Sequence, residues 1–133
     1  MLHIVFFAVF VVLSISSSAD EATTAYHEGN ELYRQGDKME ALGRFKSAVQ
    51  HDPSFGPAWT NMGHILLQLS EISEAIHAFM EAYKAADTVK TSYNLAVSLQ
   101  RASRLDEAKE YYNRALAHDE TFSNAVRKEK RLN

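Results

Sequence analysis

Small residues recur along this chain at a near-constant interval. Gly29, Gly63 and Ala96 follow one another by almost equal steps, and the same shift aligns Ala41, Ala75 and Ala108. It also superposes Phe45, Phe79 and Tyr112, and then Ala48, Ala82 and Ala115. Longer stretches repeat as well: HDPSFGPAW begins at His51, and HDETFSNAV begins two periods later at His118. A unit of roughly 34 residues holds two helices and a turn, and it cannot bury its apolar face alone. Copies must therefore stack, and the stack is the fold.

Each column has a local physical meaning. The small residues at 29, 63 and 96 let a partner helix approach, and Ala41, Ala75 and Ala108 do the same near the start of the next helix. Phe45, Phe79 and Tyr112 lie four residues further along the same face and wedge into the gap. Leu32, Leu66 and Leu99 extend the buried stripe. With only 5 Gly and 2 Pro, the composition favours helices over a sandwich or barrel. The pattern predicts an all-α chain with helices at about 21–35, 38–51, 56–69, 72–85, 89–102, 105–118 and 121–131. Turns fall at Gly36-Asp37, Ser70-Glu71 and Ser103-Arg104, and Asp37 with Glu40 has the spacing of a capping box. Glu40–Arg44 and Glu110–Arg114 are expected as i,i+4 pairs on solvated faces.

These residues resemble the tetratricopeptide repeat, whose motif is W-x2-L-G-x2-Y followed by Ala, Phe, Ala and Pro. The second copy matches best, with Trp59, Met62, Gly63, Leu66, Ala75, Phe79 and Ala82, and Asp87 where Pro is usual. The first has Ala25 in place of Trp, and the third has Ser92 there. The resemblance implies a right-handed α-solenoid of repeats at 22–55, 56–88 and 89–122, closed by a capping helix within 121–133. In that helix Phe122, Ala125 and Val126 would face the stack, while Arg127, Lys128, Glu129, Lys130 and Arg131 face water.

Such stacks line a concave groove with the first helix of each repeat and hold extended peptides or partner helices there. By this register the groove-lining residues expected here are Tyr26, Asn30, Tyr33 and Arg34, then Asn61, His64 and Gln68, then Lys90, Tyr93, Asn94, Val97 and Arg101. His27, Thr60, Leu67 and Gln100 share the face. Donors dominate, so an extended or acidic protein segment is the expected ligand. Co-chaperones similar to this grip a C-terminal carboxylate with Lys and Asn, Asn, then Lys and Arg. Asn30, Asn61 and Lys90 fall on those positions, but Tyr26 and Asn94 replace two of the three cations. That carboxylate clamp is not expected.

Residues 1–19 read differently from the rest. An apolar run from Ile4 to Leu13 is too short to span a bilayer and has the size of a signal-peptide core. Ser17 and Ala19 have the small side chains read at a cleavage site, so residues 1–19 are expected to be removed as a signal peptide. The alternative is an uncleaved leader that tethers the protein to a membrane. With cleavage the protein is secreted or lumenal in the secretory pathway, the endoplasmic reticulum included. KEKRLN is not a Lys-Asp-Glu-Leu type retention address.

No enzymatic chemistry is legible. Cys is absent, which excludes thiol catalysis and disulfides, and no cofactor is implied. The 6 histidines include no pair at His-x3-His spacing, so no metal site is expected. His51 and His118 are repeat-equivalent and suit helix-end duty. A net charge of -3 gives no global attraction to nucleic acid or to an anionic membrane. The expected function is a non-enzymatic adaptor for a protein or peptide. The other readings are a scaffold packing through its convex face or repeat ends, and the recognition part of a larger lumenal enzyme complex. The pattern specifies no oligomeric state.

Overall fold

The computed structural model describes residues 2–118, with side chains described from Ser17 onward. Among these residues there are six helices: α1 (Leu2–Gln35), α2 (Lys38–His51), α3 (Gly56–Gln68), α4 (Ile72–Ala85), α5 (Val89–Arg101) and α6 (Leu105–His118). α1–α2, α3–α4 and α5–α6 form three hairpins, and α2–α3 and α4–α5 join neighbouring hairpins into one stack. The expected capping helix, with Phe122, Ala125 and Val126, lies outside the described residues.

At the amino end the structure corrects the expectation. The repeat pattern starts the first helix near residue 21, yet α1 is helical from Leu2 without a break. No Pro or Gly precedes Gly29, so nothing in the backbone chemistry stops the helix there. Ala22 is fully buried, and the Ser18 hydroxyl donates to the carbonyl of His51 at 2.7 Å. Ser18, upstream of the repeat, therefore bonds to the end of its second helix.

The core follows the columns. Phe45 and Phe79 are among the largest fully buried side chains, each beside the glycine of its own repeat. A Cβ on Gly63 would stand 2.6 Å from Phe79 Cε1, so only hydrogen fits. In the third repeat Ala96 occupies that place and the ring, Tyr112, is only half-buried. Ala41, Ala48, Ala75, Ala82, Ala108 and Ala115 are all buried.

The three intra-repeat turns share one backbone design. The second turn residue donates its N–H to the carbonyl five residues back: Asp37 to Leu32, Glu71 to Leu66 and Arg104 to Leu99, at 3.0, 2.9 and 3.0 Å. The residue before it adopts positive φ, which is 93° at Gly36, 62° at Ser70 and 60° at Ser103. This geometry satisfies two helix-end carbonyls at once. It also displaces the expected capping box, because Asp37 makes no side-chain cap bond. A true box occurs at Thr88, which accepts from the Thr91 N–H at 3.2 Å while Thr91 Oγ1 accepts from the Thr88 N–H at 2.9 Å.

Surface charges divide similarly. Glu110–Arg114 forms as expected at 2.8 Å, but Arg44 reaches across to Glu28 of α1 at 3.3 Å and not to Glu40. Glu28 and Glu31 are exposed on the outer side of the first repeat, whereas their counterparts Met62 and Ile65, and Leu95 and Ser98, are buried. The first repeat thus turns a polar flank to water. At the helix ends His51 pairs with Glu21 and His118 with Asp87, each at 2.9 Å. Asp87 also accepts from Ser92 and Tyr83, and the His118 hydrogen bond foremost pulls its carboxyl below the ordinary range.

Candidate functional site

The first helices of the hairpins, α1, α3 and α5, lie in order and present the expected face. Along that face side chains join neighbouring repeats by a recurring diagonal. Asn61 Nδ2 donates to Asn30 Oδ1 at 2.8 Å, and one repeat later Asn94 Nδ2 faces His64 Nε2 at 3.4 Å. A third link runs from Gln68 Nε2 to the Tyr33 hydroxyl at 2.9 Å.

These links surround an open hollow of about 470 Å³ lined by Asn30, Tyr33, Arg34, Asn61, His64 and Gln68. A second, smaller hollow of about 220 Å³ lies on the other side of Asn61. It is walled by Tyr26, Pro57 and Thr60, with Lys90 and Thr91. Asn61 lines both, so its amide is central to the surface. Neither hollow has a carboxylate in its lining.

Tyr26 is half-buried, its ring against Phe45 and Phe55 at 5.9 and 5.1 Å, so it serves packing as well as the surface. Tyr93 and Val97 are half-buried on α5, and the Tyr93 ring sits edge-on to Tyr112 at 5.7 Å. Lys90 and Arg101 are exposed at opposite ends of α5, and neither forms an ion pair with the described residues. Thr60, expected on the same face, is buried with its hydroxyl donating to the Gly56 carbonyl at 3.1 Å.

Electrostatics single out His64. It is half-buried, with its ring edge-on to Phe79 at 5.2 Å. Burial lowers its pKa below the ordinary 6.5, and the nearby Lys90 charge pushes the same way. Both causes favour the neutral imidazole, whose Nε2 lies 3.4 Å from the Asn94 amide. Arg34, in contrast, is held by Glu31, which also accepts from Gln35 at 2.9 Å. The anchor Glu31 is absent from the sequence-based set, although its i,i+3 spacing to Arg34 is a readable signal. Among the described residues no three His, Asp or Glu side chains converge to hold a metal. No helix among them is long and apolar enough to cross a membrane.

Comparison with known proteins agrees with this architecture. Two family models, each described as tetratricopeptide repeat, match residues 26–89 and 89–122. A human relative, "Protein O-mannosyl-transferase TMTC2", is 34% identical over 100 residues, which is 72% of this chain and 12% of that protein. The chain thus spans about an eighth of that relative's length. Among solved structures, the first tetratricopeptide domain of Spaghetti (RPAP3) bound to HSP90 peptide SRMEEVD superposes with a TM-score of 0.75 at 21% identity. The match covers 86% of this chain and 94% of that one. The Arabidopsis OM64 tetratricopeptide domain gives 0.74 at 19% identity, over 86% and 96%. YrrB, described as having an unusual peptide-binding site, gives 0.70 at 22% identity, over 82% and 57%. Column spacing, hairpin stack and family models converge: this chain belongs to the tetratricopeptide repeat family.

Proposed function

We propose that the chain is a non-enzymatic adaptor that binds an extended, acidic segment of another protein along α1, α3 and α5. The observation that carries this reading is the hollow around Asn61 and His64, lined by amides, a phenol, an imidazole and a guanidinium, without a carboxylate. Amide side chains pair with the backbone of an extended peptide, and cations with its carboxylates. Lys90 and Arg101 add exposed positive charge at the ends of α5. The RPAP3 domain, similar in fold, was solved with the acidic peptide SRMEEVD, which supports the choice of ligand class.

The setting we propose is the secretory pathway, entered by way of residues 1–19. Its support is the short apolar run and the small side chains of Ser17 and Ala19. Cutting after Ala19 leaves Asp20 and Glu21 at the new helix start, where the dipole favours carboxylates.

An array of Asp- and Glu-bearing decapeptides, with Asn and Gln counterparts, tests the reading at low and high salt. Acidic peptides should bind and weaken at high salt. Binding indifferent to acidity, or none at all, contradicts it. A second reading, the recognition part of a larger transferase, is favoured by the match to 12% of the O-mannosyl-transferase. Co-purification of a catalytic subunit with the full chain from its own cells would select it.

A further inference from the structure

We propose that the hollow beside His64 receives a carboxylate of the ligand, and that binding takes up one proton, onto His64. The inference rests on the peptide-groove reading and specifies its chemistry. The hollow includes Asn30 and Asn61, which fall on clamp positions, but its cations are Arg34 and His64 in place of the clamp's lysines and arginine.

His64 of α3 lines the hollow between α1 and α3, and its Nε2 lies 3.4 Å from Asn94 of α5. From α1, Tyr33 and Arg34 line the same hollow, the latter paired with Glu31. From α5 comes the positive charge of Lys90, and from α4 only the Phe79 ring. On its own helix the neighbours in the hollow are the amides of Asn61 and Gln68. In the empty groove a protonated His64 would thus face the Lys90 charge and an apolar ring, while Arg34 is paired with Glu31. A neutral His64 meets the Asn94 amide without that repulsion.

A ligand carboxylate reverses that balance. Placed in the hollow, it offsets Arg34 and Lys90 and gives the imidazolium a partner, which favours the charged form. Asn94 needs only to rotate its amide, so that its oxygen in place of its nitrogen meets Nε2–H. No backbone movement is required. The proton comes from solvent, and the complex carries one more than its separated parts. Linkage then makes affinity rise as pH falls between the pKa of His64 in the complex and its lower value in the free protein.

The test uses the full chain and two fluorescent probes, SRMEEVD and its Glu-to-Gln counterpart, from pH 8 to 5.5. With the label on the peptide's amino terminus and its carboxylates ionised over most of that range, the change in Kd reports the protein. For SRMEEVD, Kd should fall about three- to ten-fold between pH 7.5 and 6, approaching ten-fold per unit for one proton. His64→Gln should flatten that dependence, so that its Kd at pH 6 and at pH 7.5 agree within about two-fold, because Gln does not titrate. In the wild-type protein, NMR titration of the His64 ring should show its pKa rising when SRMEEVD binds. A pH-independent Kd, a slope that survives in His64→Gln, or an unmoved His64 titration overturns the inference while leaving the groove reading intact. Absence of binding by either probe at every pH overturns both.

Discussion

The Phe45 ring lies against the backbone of Gly29 so closely that a methyl group there would stand 2.7 Å from Cε1. The same relation joins Phe79 to Gly63. Each hairpin is locked by a ring on its second helix entering a notch in its first, and the notch exists because a side chain is missing. The third repeat shows the alternative: with Ala96 in the notch, Tyr112 is displaced toward solvent and its hydroxyl donates to Gln100.

Gly63→Ala should therefore destabilise, although alanine is the better helix former by ~1 kcal/mol. Overpacking costs ~1–3 kcal/mol and the ring must leave its buried place to make room, so a net loss of about 1–2 kcal/mol is expected in urea unfolding. Adding Phe79→Leu to Gly63→Ala should recover part of it. Two independent losses that simply add would contradict the notch.

Ser70 and Ser103 hold the left-handed conformation that Gly36 takes in the first repeat. A side chain in that region costs ~1 kcal/mol or more, offset partly by the entropy glycine loses on folding. Ser70→Gly and Ser103→Gly should each stabilise by about 0.5–1 kcal/mol, seen as a rise of roughly 2–6 °C in Tm.

Thr88→Ala removes the acceptor of the Thr91 N–H at the start of α5. The expected cost is ~1 kcal/mol. Asp37→Ala should cost much less, because Asp37 makes no cap bond. Thermal unfolding of the two variants side by side checks the contrast.

His64 gives stability a pH dependence without any ligand. Its pKa is lower folded than unfolded, so the unfolded chain binds the extra proton first. This contribution is complete above pH 6.5 and shrinks as pH falls from there toward the folded pKa. Tm measured from pH 7.5 to 5 should decline less in His64→Gln than in the wild type. Equal declines would show that His64 is not the group responsible.

Most of the fold is legible in the sequence because repetition multiplies weak signals. A lone Gly29 says little, but three small residues one period apart, each followed by a ring at fixed offset, define a notch and its wedge. The Thr88–Thr91 box is harder to read because Thr91 stands where Glu or Gln usually returns the bond. The upstream extent of α1 is hidden for a different reason: a leader and a helix draw on the same apolar and small residues, and no breaker separates them. Around the groove, register alone brings Asn30, Tyr33, Arg34, Asn61, His64 and Gln68 to one face, and the structure gathers these six around one hollow. Register does not show that Thr60 turns its hydroxyl to its own helix, or that Glu31 already holds Arg34. Those depend on rotamers and on charge pairs across a single turn.

Ligand entry along α1, α3 and α5 is tested most directly by NMR, titrating isotopically labelled full-length chain with SRMEEVD and following backbone and side-chain amides. Shifts should concentrate at Asn30, Asn61, His64, Gln68 and Lys90. Shifts confined to the outer faces of α2, α4 and α6, or none at saturating peptide, would contradict binding in the groove.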